Sequence, residues 1–508
     1  MSLDLALGIA RSGLAAVQRS LAQASQNVAN AETPGYVRKK VEQRSLVVAE
    51  MPAGLRSGDT QRAVDLALLG RLDRSRGATA AATLREELLT GIEQAHGATA
   101  DRATLGDAVA VLSTAFTALQ AAPADAGQQR AALAAAGAVA RRLNDVSAAI
   151  GAARQQAQDG IVTEVATANA ALKQIATLTV LIKSGTGGDQ AGLEDQRDQA
   201  IAALSESMEI QAVRKPDGDL LLIARGGLVL PLDPARDLLA TAPASVAPDA
   251  FHGAGGTLPG ITLNGVDVTG QIAGGRLGEY VAMRDRTLPR YQAETDLVAA
   301  NLASRFDRQG LTLFTDADGS TVPDPALPYA GSAQAGFAGR IQLGSAVSAD
   351  PSLLRDGTHA VTPSAGGPDG FIPNLPGGPA GFATMIERVL SYSLGAEASK
   401  GNPWPPIASA GLGPDGTLAS PFMPAARIAD YASAVTAAQL GDRAAATEAK
   451  AQAAGLQNAL NDRFTATSGV DVDAEMAGMV TLQNAYAANA KVISTLQAMW
   501  DSLLGAMR

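Results

Sequence analysis

The sequence predicts a multidomain, mainly α protein with β modules. Its helical stalk is discontinuous, with a coiled-coil core built from both chain termini, an inserted β-rich module and an outer loop-rich module. Three observations lead there. Both ends of the 508-residue chain carry apolar residues stepping by three and four, the spacing of a helix seam. Aromatic residues make up only 4% of a chain that is 46% hydrophobic, so close packing has to come from small aliphatic side chains. Helical patterns also alternate with stretches rich in Gly and Pro, and the length has room for several domains.

The first helix carries Leu3, Leu7, Ala10, Leu14, Val17, Leu21, Ala24 and Val28 on one seam, with Arg11, Gln18 and Gln26 off it. It stops at Asn30-Ala31-Glu32-Thr33-Pro34-Gly35, where Pro34 turns Thr33 away from the α region and Gly35 can take φ > 0. The last helix answers it with Met479, Leu482, Tyr486, Asn489, Ile493, Leu496, Trp500, Leu503 and Met507. Asn489 is the polar member of that seam, a position where an amide fixes register and partner number. Asp471 or Asp473 is the expected N-cap, with Glu475 adding charge to the first turn.

Between the two ends, Ala-, Leu-, Arg- and Gln-rich helical patterns run from about 65 to 208, with breaks at 122–127 and 184–189. Ile210–Val213 and Leu220–Ile223, separated by Lys215-Pro216-Asp217-Gly218, read as a hairpin that opens a β-rich module. A long helix is expected over 276–309, with Pro289 as a kink. The expected division is 1–45 with 465–508 as the terminal helical domain and 46–209 with 425–464 as the stalk. The β-rich module spans 210–275, the returning helix 276–309 and the outer loop-rich module 310–424.

Composition removes many chemistries. The chain has no Cys, which excludes disulfides, thiolate metal sites and Cys nucleophiles, and its three His are scattered. A net charge of −10 has the wrong sign for a phosphate-backbone binder, so no nucleic-acid partner is expected. No apolar run suggests membrane insertion, and the N-terminal stretch, with Asp4 and Arg11, does not read as a cleaved signal peptide. Asp316-Ala317-Asp318-Gly319 lacks the Gly placement and closing Glu of a calcium loop and reads as a surface turn. Gly253-Ala254-Gly255-Gly256 does not open a helix as a nucleotide cradle would. Glu86-Glu87 and Glu194-Asp195 are neighbours that point apart, read as solvated faces. No catalytic, cofactor-binding or metal-ligating residue is assigned, and the chain is not expected to be an enzyme.

Four segments carry a resemblance. Ala29-Asn30-Ala31-Glu32-Thr33-Pro34-Gly35-Tyr36-Val37-Arg38 resembles the N-terminal signature of bacterial flagellar axial proteins, which comprise rod, hook and hook-associated subunits. Asn484-Ala485-Tyr486-Ala487-Ala488-Asn489-Ala490-Lys491-Val492-Ile493-Ser494-Thr495 resembles their C-terminal motif. Gly274-Gly275-Arg276-Leu277-Gly278-Glu279-Tyr280, with Arg284-Asp285 and Leu288-Pro289, resembles an internal motif of the hook-associated members, as does the stretch from Phe116 through Pro123 to Arg130. The turn Thr33-Pro34-Gly35 looks more like that of rod and hook subunits.

The resemblance implies a structural subunit at the hook–filament junction of the flagellum, outside the cell, reached by type III export. The partners implied are further copies of the chain, the hook protein, the next hook-associated protein and an export chaperone at the C-terminus. The expected assembly interface is Leu3, Leu7, Leu14, Val17, Leu21 and Val28 against Leu482, Tyr486, Asn489, Ile493, Leu496, Trp500 and Leu503. Asn30, Thr33, Pro34, Gly35 and Tyr36 form the motif turn. The alternatives are another axial subunit, of hook or rod, or an axial scaffold carrying a secreted enzymatic or adhesive module.

Overall fold

A computed structural model describes residues 3–48, 51–97, 104–185 and 189–506. Helix α1 (Leu3–Ala29) is followed by a long antiparallel hairpin, β1 (Lys39–Val48) and β2 (Met51–Arg62), whose register slips between Val41 and Gln43 and between Leu46 and Val47. This hairpin corrects the expectation that helical stalk begins at 46. Its strands are mostly polar, and Leu46 and Val47 are 42% and 59% exposed, so no buried alternation marks them in the sequence.

The stalk is made of α2 (Leu66–His96), α3 (Leu105–Ala121), the 59-residue α4 (Ala126–Ser184) and α5 (Gln190–Ser207). Acidic or hydroxyl side chains start each of them. The Asp65 carboxylate accepts from the Ala67 and Leu68 amides, Thr104 and Asp107 form a capping box, and Asp125 and Asp189 cap α4 and α5. By length and composition α4 could cross a membrane, but half of its most apolar stretch is buried among neighbouring helices.

Strands β3 (Ile210–Arg214), β4 (Leu220–Ala224) and β5 (Val229–Leu230) form one small sheet. A second is made of β6 (Leu239–Ala240), β7 (Thr262–Leu263) and β8 (Val266–Asp267). Both rest on Ile161 and Leu172 of α4, Leu204 of α5 and, further along the chain, Leu277. Between β6 and β7 the chain runs along α4 as an extended strap, pinned through its backbone. Asn169 donates to Leu239, Gln158 to Ala242, Gln155 to Ala244, and the buried Arg154 guanidinium to Ala247, Pro248 and Ala250.

The helix expected over 276–309 is interrupted. Helix α6 (Gly275–Ala282) passes through a π-helical turn, Met283–Thr287, into α7 (Leu288–Arg308). The turn lies directly ahead of Pro289, which has no N–H to continue the ladder.

The segment 310–424 is loop-rich, as its Gly and Pro content demands. It holds β9 (Phe314–Thr315), β10 (Gln342–Leu343), α8 (Ser345–Ala349), α9 (Leu353–Asp356), α10 (Thr384–Arg388), and the pairs β11 (Glu397–Ser399) with β12 (Asn402–Pro403) and β13 (Ala410–Leu412) with β14 (Leu418–Ala419). It has no core of its own. Phe337, Ile341, Met385, Val389 and Ile407 share one cluster with Leu112 and Phe116 of α3, Leu143 of α4 and Phe306 of α7. Helix α11 (Ile428–Ser468) enters this cluster through Ile428, Tyr431 and Val435, then runs back along α2. Helix α12 (Val472–Ala506) follows, with the Asp471 carboxylate accepting from the Ala474 amide as its N-cap.

Candidate assembly interface

Helices α1 and α12 lie antiparallel along each other. Asn27 Nδ2 donates to Glu475 Oε2 at 3.2 Å, Ser25 Oγ meets Met479 Sδ at 3.6 Å, and Gly13 faces Asn489. At the far end Asp4, Leu7, Leu496, Gln497, Trp500 and Asp501 line an open groove between the helices. The small residues Ala10, Gly13, Ala16 and Ala24 of α1 are buried together with Val17.

The other candidate residues are less covered. Leu7, Leu14, Leu21 and Val28 of α1 and Leu482, Asn489, Ile493 and Leu496 of α12 are half-buried. Tyr486, Trp500 and Leu503 are 39%, 41% and 50% exposed. The side chain of Leu3 lies outside the described residues. Arg11, Gln18 and Gln26 are exposed. Asn489 satisfies its amide within its own helix, Nδ2 donating to the Ala485 carbonyl at 3.0 Å, and its Oδ1 lies over Gly13.

The hairpin covers a second side of α1. The Leu55 amide donates to Ser12 Oγ at 3.1 Å and Gln43 Nε2 to Ser20 Oγ at 2.9 Å. Helix α12 has no such cover. Among its described residues only Glu475 is buried, and Met476, Val480, Val492, Met499 and Leu504 are exposed in addition to Tyr486, Trp500 and Leu503 of its seam.

The motif turn fixes how α1 leaves the pair. Asn30 Nδ2 donates to the Gln26 carbonyl, Thr33 Oγ1 to Asn30 Oδ1, and the Tyr36 amide to the Thr33 carbonyl at 3.1 Å. Gly35 has φ +77°, and a Cβ there would strike Gln199, whose Nε2 donates to the Pro34 carbonyl. Tyr36 folds inward, its hydroxyl donating to Asn27 Oδ1 at 2.9 Å and its ring meeting Lys39 Nζ at 4.9 Å. Burial, with Asp195 and Asp189 nearby, pushes that hydroxyl up to about 12.

Periodicity did not reveal the residues that join this helix pair to the stalk. Asn27, 1% exposed, also donates to the Lys39 carbonyl, and Glu475 accepts from Arg38 Nε at 2.5 Å. Ser468, where α11 ends, takes the Arg38 amide on its carbonyl and the Asp65 amide on its hydroxyl. A buried ionic cluster lies beside them. Lys39 pairs with Asp195 at 3.2 Å, Arg62 with Asp195 and Asp198 at 2.7 and 2.6 Å, and Arg214 with Asp198 at 2.6 Å. Asp195 is therefore a buried partner of the hairpin, which corrects its reading as a solvated face. Glu86 likewise bridges to Lys450 at 2.8 Å and so ties α2 to α11.

The remaining acidic motif is a turn. Asp318 accepts from the Ser320 and Thr321 amides, and Asp316 pairs with Arg340. Among the described residues no group of His, Asp or Glu could hold a metal ion.

Two family descriptions match the chain. Residues 90–321 match the helical domain of the flagellar hook-associated protein FlgK, and residues 462–506 match the C-terminal segment of the flagellar basal body rod FlgEFG proteins. Together they take in more than half of the 508 residues. Among solved structures, the flagellar hook junction protein FlgK from Burkholderia pseudomallei is similar at 23% identity and a TM-score of 0.40. That likeness covers 50% of this chain and spans 45% of the Burkholderia chain. No curated protein matches the chain.

Proposed function

The chain belongs to the flagellar hook-associated protein family, and on that premise we propose that it is a structural subunit of the hook–filament junction, assembled through α1 and α12 after export by the flagellar type III apparatus. One observation carries the reading: α12 is a 35-residue helix whose only buried described residue is Glu475, although apolar side chains lie on several of its faces. Apolar surface covered by neighbouring copies contributes roughly 25 cal/mol per Å². A pair of helices this exposed in the monomer gains most of its stability on assembly. Head-to-tail contacts that do not close on themselves then build a helical tube.

The partners in this reading are further copies of the chain, the hook protein on one side and the next hook-associated protein on the other. An export chaperone covers the exposed α12 before secretion. Leu14→Asp and Trp500→Asp each place a charge in the seam and should abolish incorporation into flagella while the stalk stays folded. Normal incorporation of both would sink the proposal.

The C-terminal match to rod proteins and the Thr33-Pro34-Gly35 turn favour a second reading, a hook or rod subunit. Labelling of isolated flagella separates them. A junction subunit gives a narrow band at the hook–filament boundary, and a hook or rod subunit gives a continuous stretch.

A further inference from the structure

Three long helices meet at a buried chain of hydrogen bonds. His96, the last residue of α2, is fully buried, and its Nε2 lies 2.8 Å from Gln439 Oε1 on α11. Gln439 Nε2 donates onward to Glu294 Oε2 of α7 at 3.2 Å, and more weakly to the Tyr291 carbonyl at 3.5 Å. Glu294 is fully buried and Gln439 is 2% exposed. His96 Nδ1 and Glu294 Oε1 make no hydrogen bond to protein atoms, and Oε1 faces Arg290 Nε at 3.7 Å.

A primary amide has one donating and one accepting end, so such a chain has a polarity. With Gln439 Oε1 toward His96 and Nε2 toward Glu294, the amide accepts from a His96 proton on Nε2 and donates to an ionised Glu294. With the amide turned over, its N–H would donate to His96 Nε2, which must then be bare, and its oxygen would face a Glu294 that must carry a proton. We propose that His96–Gln439–Glu294 is a two-state, proton-driven polarity switch: Glu294 takes up one proton, the Gln439 amide turns over, and His96 changes tautomer without becoming charged. The proton balance closes. His96 releases its Nε2 proton and gains one on Nδ1, so the net uptake is the single proton on Glu294.

The surroundings favour these two states over a charged imidazole. Burial lowers the proton affinity of His96, and Arg142 of α4, which donates to the Ala95 carbonyl, opposes a further positive charge. Burial raises the affinity of Glu294. Arg290 of α7, 3.7 Å from Oε1, works against this, as does Ser420, while Asp442 of α11 adds to it. Tyr291 and Tyr431 face the same region, but their hydroxyls donate to Asp442 and to the Ala408 carbonyl. The chain also stands where α11 leaves the core, for beyond Gln439 only Ala446 and Ser468 of that helix are buried.

The test reads ring ¹⁵N shifts in the full chain labelled at its three histidines, with His252→Gln and His359→Gln used for assignment. At neutral pH His96 should be the Nε2–H tautomer, and on acidification it should become the Nδ1–H tautomer while staying neutral. Glu294→Gln has no proton to take up at this position, so whichever tautomer His96 holds in it should not change with pH. An Nε2–H tautomer that survives down to acid unfolding would overturn the proposal. So would a direct change to the charged ring, or a folded Glu294→Gln that titrates as the parent does. Should Glu294→Gln fail to fold, the parent titration decides alone.

Discussion

Gly13 of α1 and Asn489 of α12 face each other so closely that a Cβ on residue 13 would stand 3.2 Å from the Asn489 carboxamide oxygen. A single added methyl is tolerated if Asn489 yields by a few tenths of an ångström, and it recovers roughly 1 kcal/mol of helix propensity. A larger side chain drives the helices apart at a cost of about 1–3 kcal/mol. Because the chain has no cysteine of its own, Ser25→Cys with Met479→Cys is a clean cross-linking reporter of the pair. Gly13→Leu should sharply reduce the cross-link and Gly13→Ala should not. Equal yields from both would show that the contact does not set the spacing.

Glu475 holds Arg38 and Asn27 in one place, although the sequence marks it only as a first-turn charge. Glu475→Ala takes from the buried Asn27 amide one of its two acceptors and from the partly buried Arg38 guanidinium its carboxylate, a loss of roughly 1–3 kcal/mol. Glu475→Gln keeps an acceptor and should lose less. Of the two tryptophans, Trp404 is buried in the core and Trp500 lies beside α1. In a Trp404→Phe background the urea midpoint followed by Trp500 fluorescence should therefore fall in the order parent, Gln, Ala.

These two contacts also show what periodicity can and cannot reveal. The two terminal helices, the Pro-Gly turn and a cap at Asp471 or Asp473 were legible because each is a local pattern with a local cause: residue spacing, a fixed φ, an orphan amide. The β1/β2 hairpin was not, because its strands pair with each other over α1 and bury little. The roles of Lys39, Arg62, Asp195 and Asp198 were hidden for another reason. A charge is normally a surface residue, and only the fold brings these four together from segments more than a hundred residues apart. The shared core of 310–424 was concealed likewise, since Gly and Pro content reports backbone freedom and says nothing of which apolar side chains meet.

Asp73 of α2, 5% exposed and 2.9 Å from Arg76, gives the stalk a measurable pH dependence. Burial, with Asp198 nearby, pushes its carboxyl up to about 6, despite the opposing pull of Arg76. The folded chain then binds this proton more tightly than the unfolded chain does, so the contribution of Asp73 to stability falls as pH rises from about 4 to 6. Asp73→Asn removes the term. Relative to the parent, the variant should gain on the order of 2 kcal/mol between pH 4 and pH 7. Urea unfolding at the two pH values measures this, and an unchanged difference between the proteins would rule Asp73 out as its source.

Tyr280 of α6 lies flat on α4 at Gly160, where a Cβ would come within 2.3 Å of the ring. This contact explains why the Gly274–Tyr280 segment can seat so deeply: Gly275 likewise passes the backbone of Ser207 and Met208 with no room for a side chain. Gly160→Ala would by itself favour a helix by roughly 1 kcal/mol. The ring has to give way by about an ångström to admit the methyl, so overpacking of about 1–3 kcal/mol should win and the variant should be less stable. Tyr280→Ala removes the obstacle and opens a cavity. In the double variant the added methyl at 160 should cost nothing and the helix gain should reappear. A double-mutant cycle of urea midpoints therefore gives a favourable coupling between the two substitutions, and strict additivity would mean that the ring moves aside freely.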